Sequence, residues 1–268
     1  MSRITATFDR IRREARGGLV TYVTAGDPDL ERGAEILVTL DRAGADVLEV
    51  GVPFSDPLAD GPVIQRASER ALAAGTTLDG VLGMVAGIRS RVSAPIVLFT
   101  YVNPVCRMGL QAFARRAAAA GVDGVLTLDV PAEESEDLRA RLGAEGIDTI
   151  FLLSPTTTDD RMAHAGALGS GFVYAISRLG VTGARETLAA GVEALVRRVR
   201  AATALPVAVG FGISTAEQVR QVCAYADAAV VGSALVARIE DHGTSPDLLQ
   251  AVDRFARELR SAGKEERT

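Results

Sequence analysis

The segment Gly18-Leu19-Val20-Thr21-Tyr22-Val23-Thr24 is followed by Asp27-Pro28-Asp29, by apolar residues three and four apart over 30–43, and by Val47-Leu48-Glu49-Val50-Gly51. It reads as strand, helix start, helix and strand. Both apolar runs are nearly continuous, as strands covered on both faces require, and a helix between two such strands makes them parallel. The same unit repeats along the chain. Eight strands are expected, over 18–24, 46–51, 96–100, 124–128, 149–153, 172–175, 207–210 and 228–231, with helices over 30–43, 111–120, 133–145, 188–201 and 216–225. The interval 52–95 is too long for one loop and one helix, so an extra helix is placed there, separating 63–73 from 78–91. Ile4, Phe8 and Ile11 fall at helical spacing and predict a short leading helix across the floor of the fold. The segment 248–259 reads as the last helix, and the polar tail 261–268 is expected to fray. No linker or charge block interrupts the units. The expected fold class is therefore α/β, one closed barrel in a single domain over 1–268, with an open doubly wound sheet as the alternative.

Composition narrows the function classes. The chain has 268 residues, 48% hydrophobic and 24% charged with a net charge of −5, so it buries enough surface to offset its ordering entropy and is not a disordered protein. Its 27 glycines show no period, and no apolar heptad persists, which excludes collagen-like and coiled-coil folds. Cys106 and Cys223 have neither a Cys-x-x-Cys partner nor a His cluster nearby, so no disulfide framework and no metal site is expected. The first residues alternate apolar and charged types without the apolar core of a secretory signal, and no run of 18 apolar residues occurs. The expectation is a cytoplasmic protein that does not enter a membrane. Its arginines are interspersed with acidic residues, so there is no basic stripe for nucleic acid.

In such a barrel chemistry sits at the carboxyl ends of the strands. Glu49 lies inside the second strand among apolar neighbours and should point into the barrel, where an unpaired carboxyl has a raised pKa suited to proton transfer. A structural ion pair is the alternative for it. Asp60 lies in the loop that follows, where a second acid role competes with that of a turn or cap residue, and Asp56, before Pro57, reads as a turn former. Late in the chain, Gly180-Val181-Thr182-Gly183, Gly210-Phe211-Gly212 and Gly232-Ser233 end successive strands. Backbone N–H groups and a helix start converging there would bind a phosphate without lysine, although each glycine alone can be a tight turn. Gly210-Phe211-Gly212 lacks the third glycine and the ribose-binding acid of a dinucleotide fingerprint. The polar loop 177–185 is long enough to serve as a lid. His164 and His242 have no partner spacing and read as solvated, which argues against a His-based triad.

The stretch Leu48-Glu49-Val50-Gly51-Val52-Pro53-Phe54-Ser55-Asp56-Pro57-Leu58-Ala59-Asp60-Gly61 resembles the tryptophan synthase α subunit family and is highly specific to it. Thr24-Ala25-Gly26-Asp27-Pro28, Gly61-Pro62-Val63-Ile64-Gln65, Tyr101-Val102-Asn103-Pro104, Asp129-Val130-Pro131, Ser177-Arg178-Leu179-Gly180-Val181-Thr182-Gly183 and Gly210-Phe211-Gly212-Ile213-Ser214 resemble further blocks of it, so the likeness covers about 5 to 240. Thr21 stands where the family often has proline, and Tyr22 where some members carry phenylalanine. The resemblance implies the (β/α)8 TIM barrel and the retro-aldol cleavage of indole-3-glycerol phosphate to indole and glyceraldehyde 3-phosphate. Residue by residue it implies Glu49 as general acid/base and Asp60 as the acid that holds the indole N–H. It further implies Tyr174 beside Glu49, Thr182 as the lid residue, Gly183, Gly212, Gly232 and Ser233 as the phosphate cradle, and Tyr22, Phe99, Leu126, Leu152 and Phe211 as the indole pocket.

The resemblance also implies a partner, a tryptophan synthase β subunit in an α2β2 complex, met through the loop 53–62 and the lid. Pyridoxal phosphate is expected on that β subunit and no cofactor in this chain. A free-standing indole-3-glycerol phosphate lyase of specialised metabolism, carrying nearly the same motifs, is the alternative. A lysine-dependent aldolase is disfavoured because the one lysine, Lys264, lies in the polar tail. A catalytically silent barrel kept to activate a partner is disfavoured by the intact acids.

Overall fold

The computed structural model describes residues 1–176, 185–210 and 212–263, with the side chains of 185–190 left aside. In chain order the elements are α1 (Arg3–Arg13), β1 (Gly18–Thr24), α2 (Leu30–Ala43), β2 (Val47–Gly51), α3 (Pro62–Ala73), α4 (Leu78–Ile88), β3 (Ile96–Thr100), α5 (Val102–Met108), α6 (Leu110–Ala120) and β4 (Gly124–Thr127). They continue with α7 (Glu136–Ala144), β5 (Asp148–Leu153), α8 (Asp159–Leu168), β6 (Val173–Ile176), α9 (Arg185–Ala202), β7 (Val207–Gly210), α10 (Ala216–Cys223), β8 (Ala228–Val231), α11 (Ser233–His242) and α12 (Leu248–Ala262). Every strand pairs in parallel with its sequence neighbour, and β8 returns to β1 through Gly18↔Ala228 to Thr21↔Val231, closing the barrel. The open-sheet alternative is thereby excluded.

Inward-facing side chains follow from the register. Tyr22 is level with Glu49, Glu49 with Val97, Phe99 with Leu126, and Leu152 with Tyr174, so these share the barrel interior. Together with Val97, residues Val20, Val47, Ile150, Phe172 and Ala208 fill the lumen as one apolar cluster. The leading helix seals the floor. Its Ile4, Phe8 and Ile11 join that cluster, with Phe8 packed on Phe172 at 5.4 Å between ring centroids. Ser2 caps it, accepting a 3.1 Å hydrogen bond from the Thr5 N–H. A second, larger core lies between the strands and the surrounding helices.

Three carboxylates at the amino ends of the strands, Asp46, Asp123 and Asp227, are each engaged by an arginine and a backbone N–H. Asp46 receives the fork of Arg16 at 2.8 and 2.9 Å and the Leu19 N–H at 3.0 Å; Asp123 and Asp227 likewise accept the Ile96 and Val207 N–H groups beside Arg89 and Arg200. These clamps stitch neighbouring strands together at the face that reads as stability rather than chemistry.

The helix expectations needed correction in four places. Helices α5, α8 and α11 form where none was assigned, and the expected helix over 133–145 is divided. Its first part is a 3-10 turn over Ala132–Glu134, closed when the Ser135 hydroxyl donates to the Ala132 carbonyl at 2.8 Å, and α7 starts only afterwards. Among the described residues no single helix is long and apolar enough to cross a membrane.

Candidate active site

At the carboxyl ends of the strands a cavity of about 280 Å³ opens between β1, β3, β6 and the starts of α3 and α11. Tyr22, Phe99 and Tyr174 form its apolar wall, with the Tyr22 and Phe99 rings edge to face at 5.2 Å between centroids. Val63 and Ile64 from the first turn of α3 close the side next to Asp60. Two strand glycines make room for the tyrosines. A Cβ at Gly51 would run into the Tyr22 hydroxyl, and one at Gly210 into the Tyr174 hydroxyl, so both phenols lie flat over backbone.

Glu49 is fully buried at the level of Tyr22, and neither carboxyl oxygen has a hydrogen-bond partner. Burial pushes its pKa up to about 8, so at neutral pH it holds its proton. The structural ion pair is thereby excluded. Asp46, Asp123 and Asp227 show what a structural carboxylate looks like in this fold, each engaged by arginine.

Asp60 is half-buried in the loop between β2 and α3. Burial raises its pKa to about 6, opposed by a hydrogen bond from the Tyr101 hydroxyl, and it is therefore mostly ionised at neutral pH. The loop is held from both sides. Gln65 Nε2 donates to the Asp60 carbonyl at 2.9 Å, and Phe54 stacks on the Tyr101 ring at 4.9 Å. Asp56 stays exposed and accepts from the Ser55 hydroxyl at 2.6 Å, in keeping with a turn role. Glu49, buried beside Tyr22, is thus protonated while Asp60, at the cavity wall, is mostly ionised, a contrast that suits an acid and a charge stabiliser.

The far end of the cavity is built from backbone. Gly212 has a positive φ of 75°, a conformation that favours glycine, and Gly232 with Ser233 opens α11. The backbone bonds of that helix begin with Leu235 and Val236 on the Gly232 carbonyl, so the N–H groups of Ser233 and Ala234 precede them and form a positive helix end at the cavity. Gly232 also lies against the Tyr22 ring, where a Cβ would stand 3.2 Å from Tyr22 Cβ.

Of the residues singled out from sequence, Tyr22, Asp60, Phe99, Tyr174, Gly212, Gly232 and Ser233 line this cavity together. Glu49, fully buried level with Tyr22, does not, and neither do Leu126 and Leu152. Leu126 is fully buried in the barrel interior, while Leu152 packs half-buried on the same cluster and borders a separate cleft beside β4 and β5. Leu128, one inward step beyond Leu126, takes the cavity position instead. Thr182, Gly183 and Phe211, and with them the expected lid over 177–185, lie outside the described residues. Tyr101 and Ile64 were not singled out; a tyrosine just past the end of β3 is the signal that points to the first. His164 is exposed on α8, and Nδ1 of His242 lies 2.9 Å from the Arg238 carbonyl, both remote from the cavity lining. Among the described residues no group of His, Cys, Asp and Glu is placed to hold a metal ion.

Comparisons with known proteins agree with this geometry. Residues 8–264 match the family described as "Tryptophan synthase alpha chain". The chain is 50% identical over 260 residues to the tryptophan synthase alpha chain of Solibacter usitatus, covering 97% of each protein, and 49% identical over 262 residues to that of Geobacter sulfurreducens, covering 98% of this chain and 99% of the relative. Among solved structures, tryptophan synthase subunit alpha from Legionella pneumophila superposes with a TM-score of 0.91 at 38% identity, covering 98% of both chains. A chain of Mycobacterium tuberculosis tryptophan synthase superposes with a TM-score of 0.90 at 39% identity, covering 98% of this chain and 99% of that one. With nearly the whole sequence and the barrel in accord, this chain belongs to the tryptophan synthase alpha chain family.

Proposed function

We propose that this chain, a lyase, cleaves indole-3-glycerol phosphate to indole and glyceraldehyde 3-phosphate, with Glu49 as the proton carrier and Asp60 as the charge stabiliser. The observation that carries this reading is the contrast between two carboxyls: Glu49 is fully buried with neither oxygen hydrogen-bonded, whereas Asp60 stands at the cavity wall with the Tyr101 hydroxyl donating to it. The indole ring lies against Tyr22, Phe99 and Ile64 with its N–H toward Asp60, and the phosphate lies at Gly212 and the start of α11. Protonated Glu49 delivers its proton to indole C3. Positive charge then spreads to the ring nitrogen, where the Asp60 carboxylate stabilises the transition state more than the ground state. The Glu49 carboxylate next removes the proton of the side-chain hydroxyl. The carbon–carbon bond breaks, its electron pair restores the indole ring, and the hydroxyl carbon becomes the aldehyde. Glu49 ends protonated, so the acid is regenerated, and a pKa near 8 suits a group that must give and take a proton near neutral pH.

We infer further that the chain works in the cytoplasm as a single-domain α subunit docked on a β subunit that holds pyridoxal phosphate, in an α2β2 complex. The cited Mycobacterium tuberculosis structure is titled as tryptophan synthase, in keeping with such an assembly. The loop 53–62 offers a surface for it, with the Leu58 side chain 93% exposed. Thr182, Gly183 and Phe211 are assigned to lid, phosphate cradle and indole pocket by family resemblance alone. The test is indole release from indole-3-glycerol phosphate by the purified chain, alone and with a tryptophan synthase β subunit. Slow release that rises about tenfold or more on addition supports the reading. No release in either assay overturns it.

A further inference from the structure

A group of charges outside the cavity joins the elements that carry its two ends. Asp60 immediately precedes α3, whose first turn holds Val63 and Ile64, and Gly232 and Ser233 open α11. Further along both helices, Nε and Nη2 of Arg66 donate to Oε1 and Oε2 of Glu240 at 2.8 and 2.9 Å, and Nη1 of Arg70 donates to Oε1 of Glu240 at 2.9 Å. The rest of the Arg70 fork turns to Asp27 in the loop that leaves β1, with Nε on Oδ1 and Nη2 on Oδ2, both at 2.8 Å. None of these four side chains lines the cavity.

Exposed ion pairs commonly contribute little, but this one differs in two ways. Asp27 is 2% exposed, so its charge depends on the arginine for compensation. The planar guanidinium also reaches two carboxylates on different elements at once, which fixes angles as well as distances and which a lysine cannot reproduce. Between this clamp and the cavity lies a small cluster of Tyr22, Ala67 and Val236, one side chain each from β1, α3 and α11. Ala67 contributes only a methyl, which lets the two helices approach closely but leaves little side chain to lock them against sliding.

Resting on the cavity reading given above, we propose that Arg70 is a positioning residue that sets the separation between the carboxylate at the indole end of the site and the helix start at the phosphate end. A substrate held at both ends gains from the second contact only when the spacing matches, and misplacement by about 1 Å from a distant change costs up to roughly a hundredfold in rate. Loss of the clamp therefore weakens two-ended ligands selectively. It leaves each end on its own nearly intact.

The experiment compares the full-length protein with Arg70→Met, Arg70→Lys and Glu240→Gln by calorimetric titration with three probes: indole-3-propanol phosphate, which spans both ends and has no hydroxyl to cleave, glycerol 3-phosphate and indole. The expected result for both Arg70 variants is a loss of about tenfold or more for the two-ended probe, a change below about twofold for each one-ended probe, and a fall in kcat/KM parallel to the first. Glu240→Gln should show a smaller loss of the same selective kind. Should Arg70→Met fail to fold, the other two decide, since one keeps a cation beside Asp27 and the other keeps the whole fork on it. An unchanged affinity for the two-ended probe overturns the proposal, as does a loss shared equally by all three probes, which marks a merely structural role. Wild-type protein that neither cleaves indole-3-glycerol phosphate nor binds the two-ended probe overturns the cavity reading itself, and is told apart from failure of the Arg70 role by the wild-type measurement alone.

Discussion

The Tyr101 hydroxyl donates to Oδ2 of Asp60 at 3.2 Å while accepting the N–H of Ala59 at 3.1 Å. One phenol thus holds both the side chain proposed to meet the indole nitrogen and the backbone just before it. Tyr101→Phe keeps the ring that stacks on Phe54 and removes both bonds. Because the lost bond opposes the burial that raises the Asp60 pKa, that pKa should climb further above about 6. The acid limb of kcat/KM should move up by roughly one pH unit, with a fall of about twofold at pH 7 that grows to about tenfold below pH 6. A pH profile that superposes on that of the wild type would show that Tyr101 does not act on Asp60.

The proposed mechanism requires Glu49 protonated and Asp60 ionised. With Glu49 raised to about 8 and Asp60 to about 6, kcat/KM should trace a bell whose limbs fall near those two values. Asp60→Asn removes the group behind the acid limb. Its residual rate, lower by about a hundredfold or more, should therefore fall only on the alkaline side. A residual profile that keeps the acid limb would assign that limb to another group.

Gly51 and Gly210 are expected to resist even alanine. Each added methyl would press into a buried phenol, Tyr22 in one case and Tyr174 in the other. Overpacking of this kind costs about 1–3 kcal/mol. Gly51→Ala and Gly210→Ala should lower stability by that order in urea titration and raise KM, since both tyrosines line the cavity. Variants with wild-type stability and KM would show that the rings yield freely.

How far this was legible in the sequence depended on how local the determining physics was. Strands such as Val47–Gly51 stand out because a parallel sheet covered on both faces leaves unbroken apolar runs, and Glu49 stands out against the same background. Ile4, Phe8 and Ile11 mark the floor helix by spacing alone. Elsewhere local signals misled. The segment of α5, to which no helix was assigned, carries Pro104 in its first turn, where proline costs nothing, and Gly232-Ser233, open to a tight-turn reading, starts α11. The choice between Leu126 and Leu128 turns on how far each strand is staggered in the closed barrel, which the alternation within one strand does not encode. The Tyr101–Asp60 pair forms only once the loop 53–60 has folded back over the end of β3, so no spacing along the chain announces it.

Glu49 makes a further prediction because its ionisation opposes folding. Its pKa is about 8 in the folded protein against an ordinary carboxyl value of 4.5, so between these values the native state holds a proton that the unfolded chain has lost. Stability from this group is therefore fully present below about pH 4.5 and declines until pH passes about 8, where the decline levels off. Glu49→Gln keeps the volume and removes the titration. Its unfolding free energy should fall less steeply than that of the wild type across this window, and it should exceed the wild type above pH 8 by a few kcal/mol at most. The same variant should lose cleavage while retaining glycerol 3-phosphate binding, since the proton carrier is gone and the start of α11 is untouched. Parallel stability curves for the two proteins would mean that Glu49 is ionised at no such cost, and retained turnover would remove it from the chemistry altogether.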